Sequence, residues 1–190
     1  MHIRAATSHD LNNIQSIYRS AFDACERDLV SELAVNLFTD EAAPPIISLV
    51  AETDGIVVGH VSFSPVTIDD RENFNGYILA PLAVKPAYQK RRIGSKLIES
   101  GIQQLSRMGV DIVFVYGEPE YYSRFGFNAD DAERYIPPHK LQYPFGWLGI
   151  ALKKIQHWKV ICQNSLCRFS RRSSTVVGMM EKVLHHASES

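Results

Sequence analysis

Two short, almost uninterrupted apolar runs, residues 77–84 (YILAPLAV) and 111–116 (DIVFVY), flank one stretch of helical periodicity, and this pairing constrains the fold more than any other feature of the chain. Apolar runs of that length suit strands buried on both faces. Between them, apolar residues recur at Ile93, Leu97, Ile98, Ile102 and Leu105, the spacing of a helix with one buried face, and Gly109 stands where a left-handed cap ends such a helix. Two strands joined through a helix lie parallel, with a right-handed crossover. The chain is thereby committed to an α/β architecture.

The junction between the first strand and the helix carries the chemistry. Pro86 stops the strand, and the sequence KPAYQKRRIGSKL runs directly into the helix. A helix starting near Ile93 leaves its first backbone N–H groups unpaired and carries the positive end of its dipole there, so an anion is stabilised without any side chain. Lys85, Lys90, Arg91 and Arg92 add four positive charges within eight residues. The arrangement suits a cofactor carrying a pyrophosphate; the competing explanation is a basic run that merely faces solvent.

The remaining elements fit one unit. HIRAA at the N-terminus reads as a short strand, Leu11, Ile14, Ile17, Tyr18, Ala21 and Phe22 mark a first amphipathic helix, and Leu29, Val30, Leu33 and Leu37 mark a second. Pro44 and Pro45 break that pattern, and residues 46–51 and 56–63 read as strands either side of the hairpin turn Asp54-Gly55. With 190 residues and 45% hydrophobic content the chain can bury a substantial core.

The segment PLAVKPAYQKRRIGSKLI resembles the coenzyme A loop of GNAT superfamily N-acetyltransferases, whose pattern is Gln or Arg, two residues, Gly, one residue, then Gly or Ala. Gln89 matches the first position and Gly94 the last, whereas Arg92 occupies the place of the first glycine. Downstream, GEPEYYSRFGF resembles the family's aromatic-Tyr-x-x-x-Gly-Phe element, which puts Tyr122 on the usual general-acid tyrosine. Both elements occur in the family's order and at its separation. The PLAV strand and the YYSRFGF segment are similar to the bacterial YhbS-like branch, with Glu118 in place of that branch's aspartate.

This resemblance implies a mixed, mostly antiparallel sheet with a splayed parallel strand pair, flanked by helices. It implies a GNAT domain over residues 1–150, followed by a C-terminal extension over 151–190 that is at best partly ordered. It also implies acetyl-CoA as cosubstrate, with pantetheine entering between the splayed strands beside Leu82, Ala83 and Val84, and an N–H near Leu82 polarising the thioester. Pro81, which has no N–H to give a ladder, suits a bulge at that point. The backbone of Gln89, Lys90, Arg91, Arg92, Ile93, Gly94 and Ser95 would hold the pyrophosphate. The acceptor implied by the resemblance is a primary amine on a small molecule or a protein.

Direct transfer requires a neutral amine to attack the thioester and the departing thiolate to gain a proton. A phenol with pKa about 10 is close enough to an alkyl thiol to share that proton once both are fixed. Tyr122 is the expected donor and Tyr121 the expected packing residue, although both can also be read as core aromatics. Glu118 can relay a proton from the amine or simply serve the start of a helix. Glu26, Asp28 and Glu32 can recognise a cationic amine or face solvent. At the entry to the helix an ordinary right-handed backbone would be tolerable at Arg92, and coenzyme binding with an altered phosphate contact is expected there. A noncatalytic acyl-CoA-binding regulatory module is the alternative function.

Other classes are disfavoured. A net charge of −1 gives no electrostatic case for nucleic acid. No run approaches a membrane span and the N-terminus lacks a signal-peptide stretch, so a cytoplasmic monomer or homodimer is expected. Cys25, Cys162 and Cys167 do not form a disulfide or metal-ligand pattern, no HExxH occurs, and no metal is expected. The loop lacks the Gly-Lys-Ser/Thr ending of a nucleotide hydrolase. Near the end, residues 135–138 and 143–147 (YPFGW) can wall an acceptor pocket, with Trp147 equally suited to the core. Residues 170–175 read as a loop and 179–186 as a short helix.

Overall fold

In the computed structural model, which describes residues 1–67, 74–137, 140–153 and 167–168, the two apolar runs are neighbouring parallel strands. The chain order is β1 (His2–Ala5), α1 (Leu11–Ala21), α2 (Arg27–Thr39), β2 (Ile47–Thr53), β3 (Ile56–Val66), β4 (Gly76–Val84), α3 (Ile93–Arg107), β5 (Ile112–Tyr116), α4 (Pro119–Tyr122), α5 (Ala129–Ala132), β6 (Tyr135–Ile136), β7 (Trp147–Ala151) and β8 (Cys167–Arg168). Strands β1, β2, β3, β4, β5 and β7 form one six-stranded sheet in that spatial order. Its pairs are antiparallel except β4 with β5, which the α3 crossover makes parallel. β6 and β8 make a separate two-residue parallel pair. The expected loop at 170–175, the expected helix at 179–186 and Cys162 lie outside the described residues.

Local chemistry sets the boundaries. Asp54 and Gly55 both have positive φ, at 52° and 76°, the backbone of a tight hairpin turn, and they leave Thr53 opposite Ile56. Gly109 ends α3 with φ 75°. Asp10, 3% exposed, accepts hydrogen bonds from the Thr7 N–H at 2.8 Å and from both terminal nitrogens of Arg4, and so ties β1 to the start of α1. Glu52 on β2 completes the cluster with a second ion pair to Arg4 at 2.9 Å.

Side chains alternate across the sheet as a period of two demands. On one face, Tyr77 and Leu79 of β4 and Val113 and Val115 of β5 pack against Ile93, Leu97, Ile98 and Leu105 of α3. On the other, Ile78 and Ala80 join Phe114, Tyr135, Trp147 and Leu33 of α2, while Ile14, Ile17 and Tyr18 of α1 cover Val50, Val57 and Ala83. Phe114 is fully buried, stacked on Trp147 at 5.2 Å between centroids and edge-on to Tyr135 at 4.9 Å. The Trp147 indole N–H donates to the Tyr135 carbonyl at 2.9 Å, so Trp147 is a core anchor. Within α3, Gly101 lies against the Phe63 ring, and an added Cβ there would overlap the Cε2–Cζ edge of the ring.

Candidate active site

The parallel pairing of β4 and β5 covers only Gly76–Ile78 against Ile112–Phe114. Beyond Ile78 the strands part. On its other edge β4 remains paired with β3, but Val61 faces Leu82 while Phe63 faces Leu79, so Ala80 and Pro81 together oppose the single Ser62. This is a bulge with proline in it, where the missing N–H is harmless.

The register downstream of the bulge decides which backbone groups face the gap. The Lys85 N–H donates to the Val58 carbonyl at 2.8 Å, which makes Val58 and Lys85 a hydrogen-bonded pair. Because bonded and non-bonded pairs alternate, Ala83 is turned toward β3, whereas Leu82 and Val84 direct their N–H and C=O groups away from it. The Gln89 side-chain amide donates to the Val84 carbonyl at 3.1 Å from the open side.

A cavity of about 470 Å³ follows this edge and continues over the start of α3. Its walls include Leu82, Ala83, Val84, Gln89, Lys90, Arg92, Ile93, Gly94 and Ser95. Arg91 is not among them; its guanidinium lies over the Tyr88 ring, 5.3 Å from the centroid. Ile93 contributes through its backbone, since its side chain is 4% exposed in the core below.

Arg92 does not take the right-handed backbone that its place at a helix entry would tolerate: it has φ 59° and ψ 19° and caps α3 in the left-handed region. Lys90 has φ 60°, and Arg91 between them does not have positive φ. Alternation of this kind makes successive N–H groups converge on a concavity suited to an anion. The loop thus takes at Arg92 the kind of backbone that a glycine adopts readily, at an ordinary cost of about 1–2 kcal/mol for an L-residue.

A second cavity of about 280 Å³ opens where β4 and β5 separate, lined by Phe22, Val30, Leu33, Leu79, Ala80, Pro81, Leu82, Tyr116, Gly117, Glu118, Tyr121 and Tyr122. The two cavities share Phe22, Leu82 and Tyr121. Tyr122 packs edge-on against Tyr121 at 5.0 Å and Phe127 at 5.8 Å between centroids. Burial pushes its phenol well above the ordinary value, so it is neutral and carries its proton at any physiological pH.

Tyr121, expected as a packing residue beside Tyr122, lines both cavities. Its hydroxyl lies over Gly94, and the Arg124 guanidinium sits 4.4 Å from its ring centroid. Burial raises the Tyr121 phenol, partly offset by Arg124 and Ser95. Glu118 is exposed at the N-cap of α4, where its side chain makes no cap hydrogen bond, and it reaches the second cavity. Glu26, Asp28 and Glu32 do not line that cavity: Glu26 is buried at the start of α2, Asp28 pairs with Arg19 at 2.9 Å, and Glu32 is exposed.

Two contributions escaped the sequence reading. Gly117 lies against the Tyr122 ring, where an added Cβ would stand 2.5 Å from Cε2, so only glycine leaves that ring in place. Phe22, the residue following α1, closes the wall between the cavities. Among the described residues, no group of three metal-ligating side chains occurs and no helix is long and apolar enough to cross a membrane.

The architecture and site match known proteins. The model of the acetyltransferase (GNAT) family matches residues 11–127. The uncharacterized N-acetyltransferase YjhQ of Escherichia coli strain K12 is 36% identical over 129 residues, covering 67% of this chain and 70% of that protein. The uncharacterized N-acetyltransferase YhbS of the same strain is 34% identical over 129 residues, covering 67% and 73%. The crystal structure of Escherichia coli YhbS in complex with CoA superposes with a TM-score of 0.69, covering 89% of each chain at 26% identity. A GNAT family acetyltransferase from Brucella melitensis in complex with acetyl-CoA superposes with a TM-score of 0.59 at 33% identity, covering 80% of this chain and 88% of that one.

Proposed function

The chain belongs to the GNAT acetyltransferase family, and from that premise we propose that it moves an acetyl group from acetyl-CoA to a primary amine by direct attack. The observation that carries this reading is the gap between β4 and β5, with the backbone groups of Leu82 and Val84 on one side and Tyr122 on the other. The residues present fit the cosubstrate. Pantetheine amides would pair with Leu82 and Val84 as a missing strand, and the N–H groups of residues 89–95 would hold the pyrophosphate. Acetyl-CoA supplies the activated acyl group.

The acceptor enters through the second cavity. Its described lining holds one carboxylate, Glu118, among mainly apolar side chains, which favours a singly charged amine on an apolar body over a polycation. An α-amine with pKa about 7.7–8 is partly neutral already, whereas a lysine amine near 10.4 needs a base. Glu118, the carboxylate of the described lining, would take that proton through water. The neutral nitrogen then forms the new C–N bond as the thioester C=O becomes an oxyanion against the Leu82 N–H. When the C–S bond breaks, the sulfur takes the Tyr122 proton, and Tyr122 regains one from the ammonium nitrogen of the collapsing intermediate. The net transfer moves one proton from nitrogen to sulfur, so the phenolate that burial disfavours need not persist.

Calorimetric titration with acetyl-CoA, combined with free-thiol release across a panel of amines and peptides, tests this. Saturable binding with amine-dependent release is expected. Tyr122→Phe should lower turnover about 10²-fold while leaving acetyl-CoA binding intact, the loss typical of a missing acid–base group. Unchanged turnover would remove Tyr122 from that role. Binding without release to any amine would favour the regulatory acyl-CoA module instead.

A further inference from the structure

A buried chain of three polar side chains ends at the bulge of β4. The Tyr18 hydroxyl lies 3.0 Å from the Pro81 carbonyl oxygen and 2.8 Å from His60 Nδ1, and His60 Nε2 lies 2.8 Å from Ser48 Oγ. Tyr18 and His60 are both 0% exposed. A carbonyl only accepts, so the single Tyr18 proton is given to a carbonyl, and the Pro81 oxygen at 3.0 Å is the nearer acceptor, the His60 carbonyl standing at 3.4 Å. His60 Nδ1–H must then donate to the Tyr18 oxygen, which leaves Nε2 to accept from the Ser48 hydroxyl. Every proton in this chain points toward the Pro81 carbonyl.

A neutral imidazole is required for that direction, and burial keeps it so, holding the His60 pKa down to about 3. The chain is therefore not a proton relay at neutral pH. Its effect falls on the peptide that receives it. The Pro81 oxygen and the Leu82 N–H belong to one planar trans peptide unit and point in opposite directions. The oxygen faces Tyr18 on the β3 side, and the N–H faces the gap. A hydrogen bond on the oxygen draws electron density from the nitrogen and strengthens the N–H as a donor.

We propose that Tyr18, held by His60 and Ser48, is a positioning residue that orients and polarises the Pro81–Leu82 peptide so that its N–H can stabilise the thioester oxyanion. The proposal rests on the acetyltransferase reading given above. It assigns a function to a buried tyrosine that lies on the helix opposite the coenzyme loop and does not line either cavity.

Infrared difference spectra of the full-length protein with bound [1-¹³C]acetyl-CoA, in the absence of amine, read the polarisation directly. The wild-type carbonyl stretch should fall below its value in water. In Tyr18→Phe it should return part of the way, with acetyl-CoA Kd and amine KM within about threefold and kcat roughly tenfold lower, a fraction of the loss seen when an oxyanion donor is removed outright. Replacement of Tyr18 by 3-fluorotyrosine, whose hydroxyl is a stronger donor in the same shape, should move the stretch further down. A purely structural role does not produce shifts of opposite sign. If Tyr18→Phe fails to fold, the fluorotyrosine protein alone decides. A wild-type downshift unchanged by either replacement would overturn the role of Tyr18 while leaving the oxyanion site standing; no wild-type downshift would overturn both.

Discussion

Strand β4 is bonded on both edges from Gly76 to Ile78 and on one edge beyond it. The first part sits between two buried layers, with Phe114 and Trp147 stacked beside Ile78 and Val113 behind Tyr77. The second begins with a proline bulge and turns Leu82 and Val84 toward a cavity. One half satisfies its backbone with another strand; the other half keeps hydrogen-bonding capacity available for a ligand. Substitutions in the two halves should accordingly separate stability from chemistry.

The largest effect is expected in the closed half. Phe114→Ala should cost about 3–5 kcal/mol in urea unfolding, because it empties a fully enclosed ring site. Acetyl-CoA affinity of the folded fraction should change little; a large loss of affinity at small cost in stability would erase the distinction between the halves. In the open half, Leu82→Pro removes an N–H that is turned away from β3, so the sheet should persist. Turnover should fall about 10²–10³-fold, equivalent to roughly 3–4 kcal/mol of transition-state stabilisation. Retained turnover would place the oxyanion elsewhere.

A smaller effect comes from pH. His60 titrates at about 3 when folded and near 6.5 when unfolded, with burial as the main cause. A lowered folded pKa means that the unfolded chain binds more protons in that window, so stability is full above 6.5 and is lost as pH falls toward 3. Between pH 7 and pH 5 this should cost about 2 kcal/mol. Asp10 begins to add to the loss only below about pH 4, because the Arg4 hydrogen bond holds its folded pKa at about 2. In His60→Gln the slope between pH 6.5 and 5 should flatten by up to about 1.4 kcal/mol per pH unit. An identical slope in the variant would show that other groups govern acid sensitivity. The smallest change is Arg92→Gly, which should stabilise the fold by about 1 kcal/mol through relief of the left-handed backbone. Acetyl-CoA affinity should move less than tenfold, and tightening by orders of magnitude would show that the Arg92 side chain obstructs the phosphates.

The periodic elements were legible because burial writes a period of two or near four into the sequence. Both helices before β2, the Asp54-Gly55 hairpin and the strand–helix–strand unit emerge from that signal, and Pro81 announced its bulge by lacking a donor. Orientation was less accessible. The spacing to Gly126-Phe127 singles out Tyr122, yet it cannot say that Tyr121 turns its hydroxyl over Gly94 and lines both cavities. Helix periodicity puts Tyr18 among core residues, but its partner His60 is 42 positions away and meets it only once α1 has docked on the sheet. The left-handed backbone at Arg92 was likewise hidden, since the loop's closure onto α3 overrides what an arginine prefers. Charge alone left the acids of the α2 region open to two readings, partners of a cationic acceptor or a solvated face, and Glu26, Asp28 and Glu32 do not line the second cavity.

The contact of Gly101 with Phe63 has a consequence beyond packing. Gly101 lies eight residues into a helix that starts at Ile93, about 12 Å from the loop that it supports. The missing side chain lets α3 sink onto β3, and that depth fixes how high the helix start stands above the sheet edge. The clearance for the proposed diphosphate would thus be gauged by an atom that is not there, in the manner of a shim left out of a joint. A single methyl group at that remote seat would lift the helix and change the fit of the whole ligand without touching it.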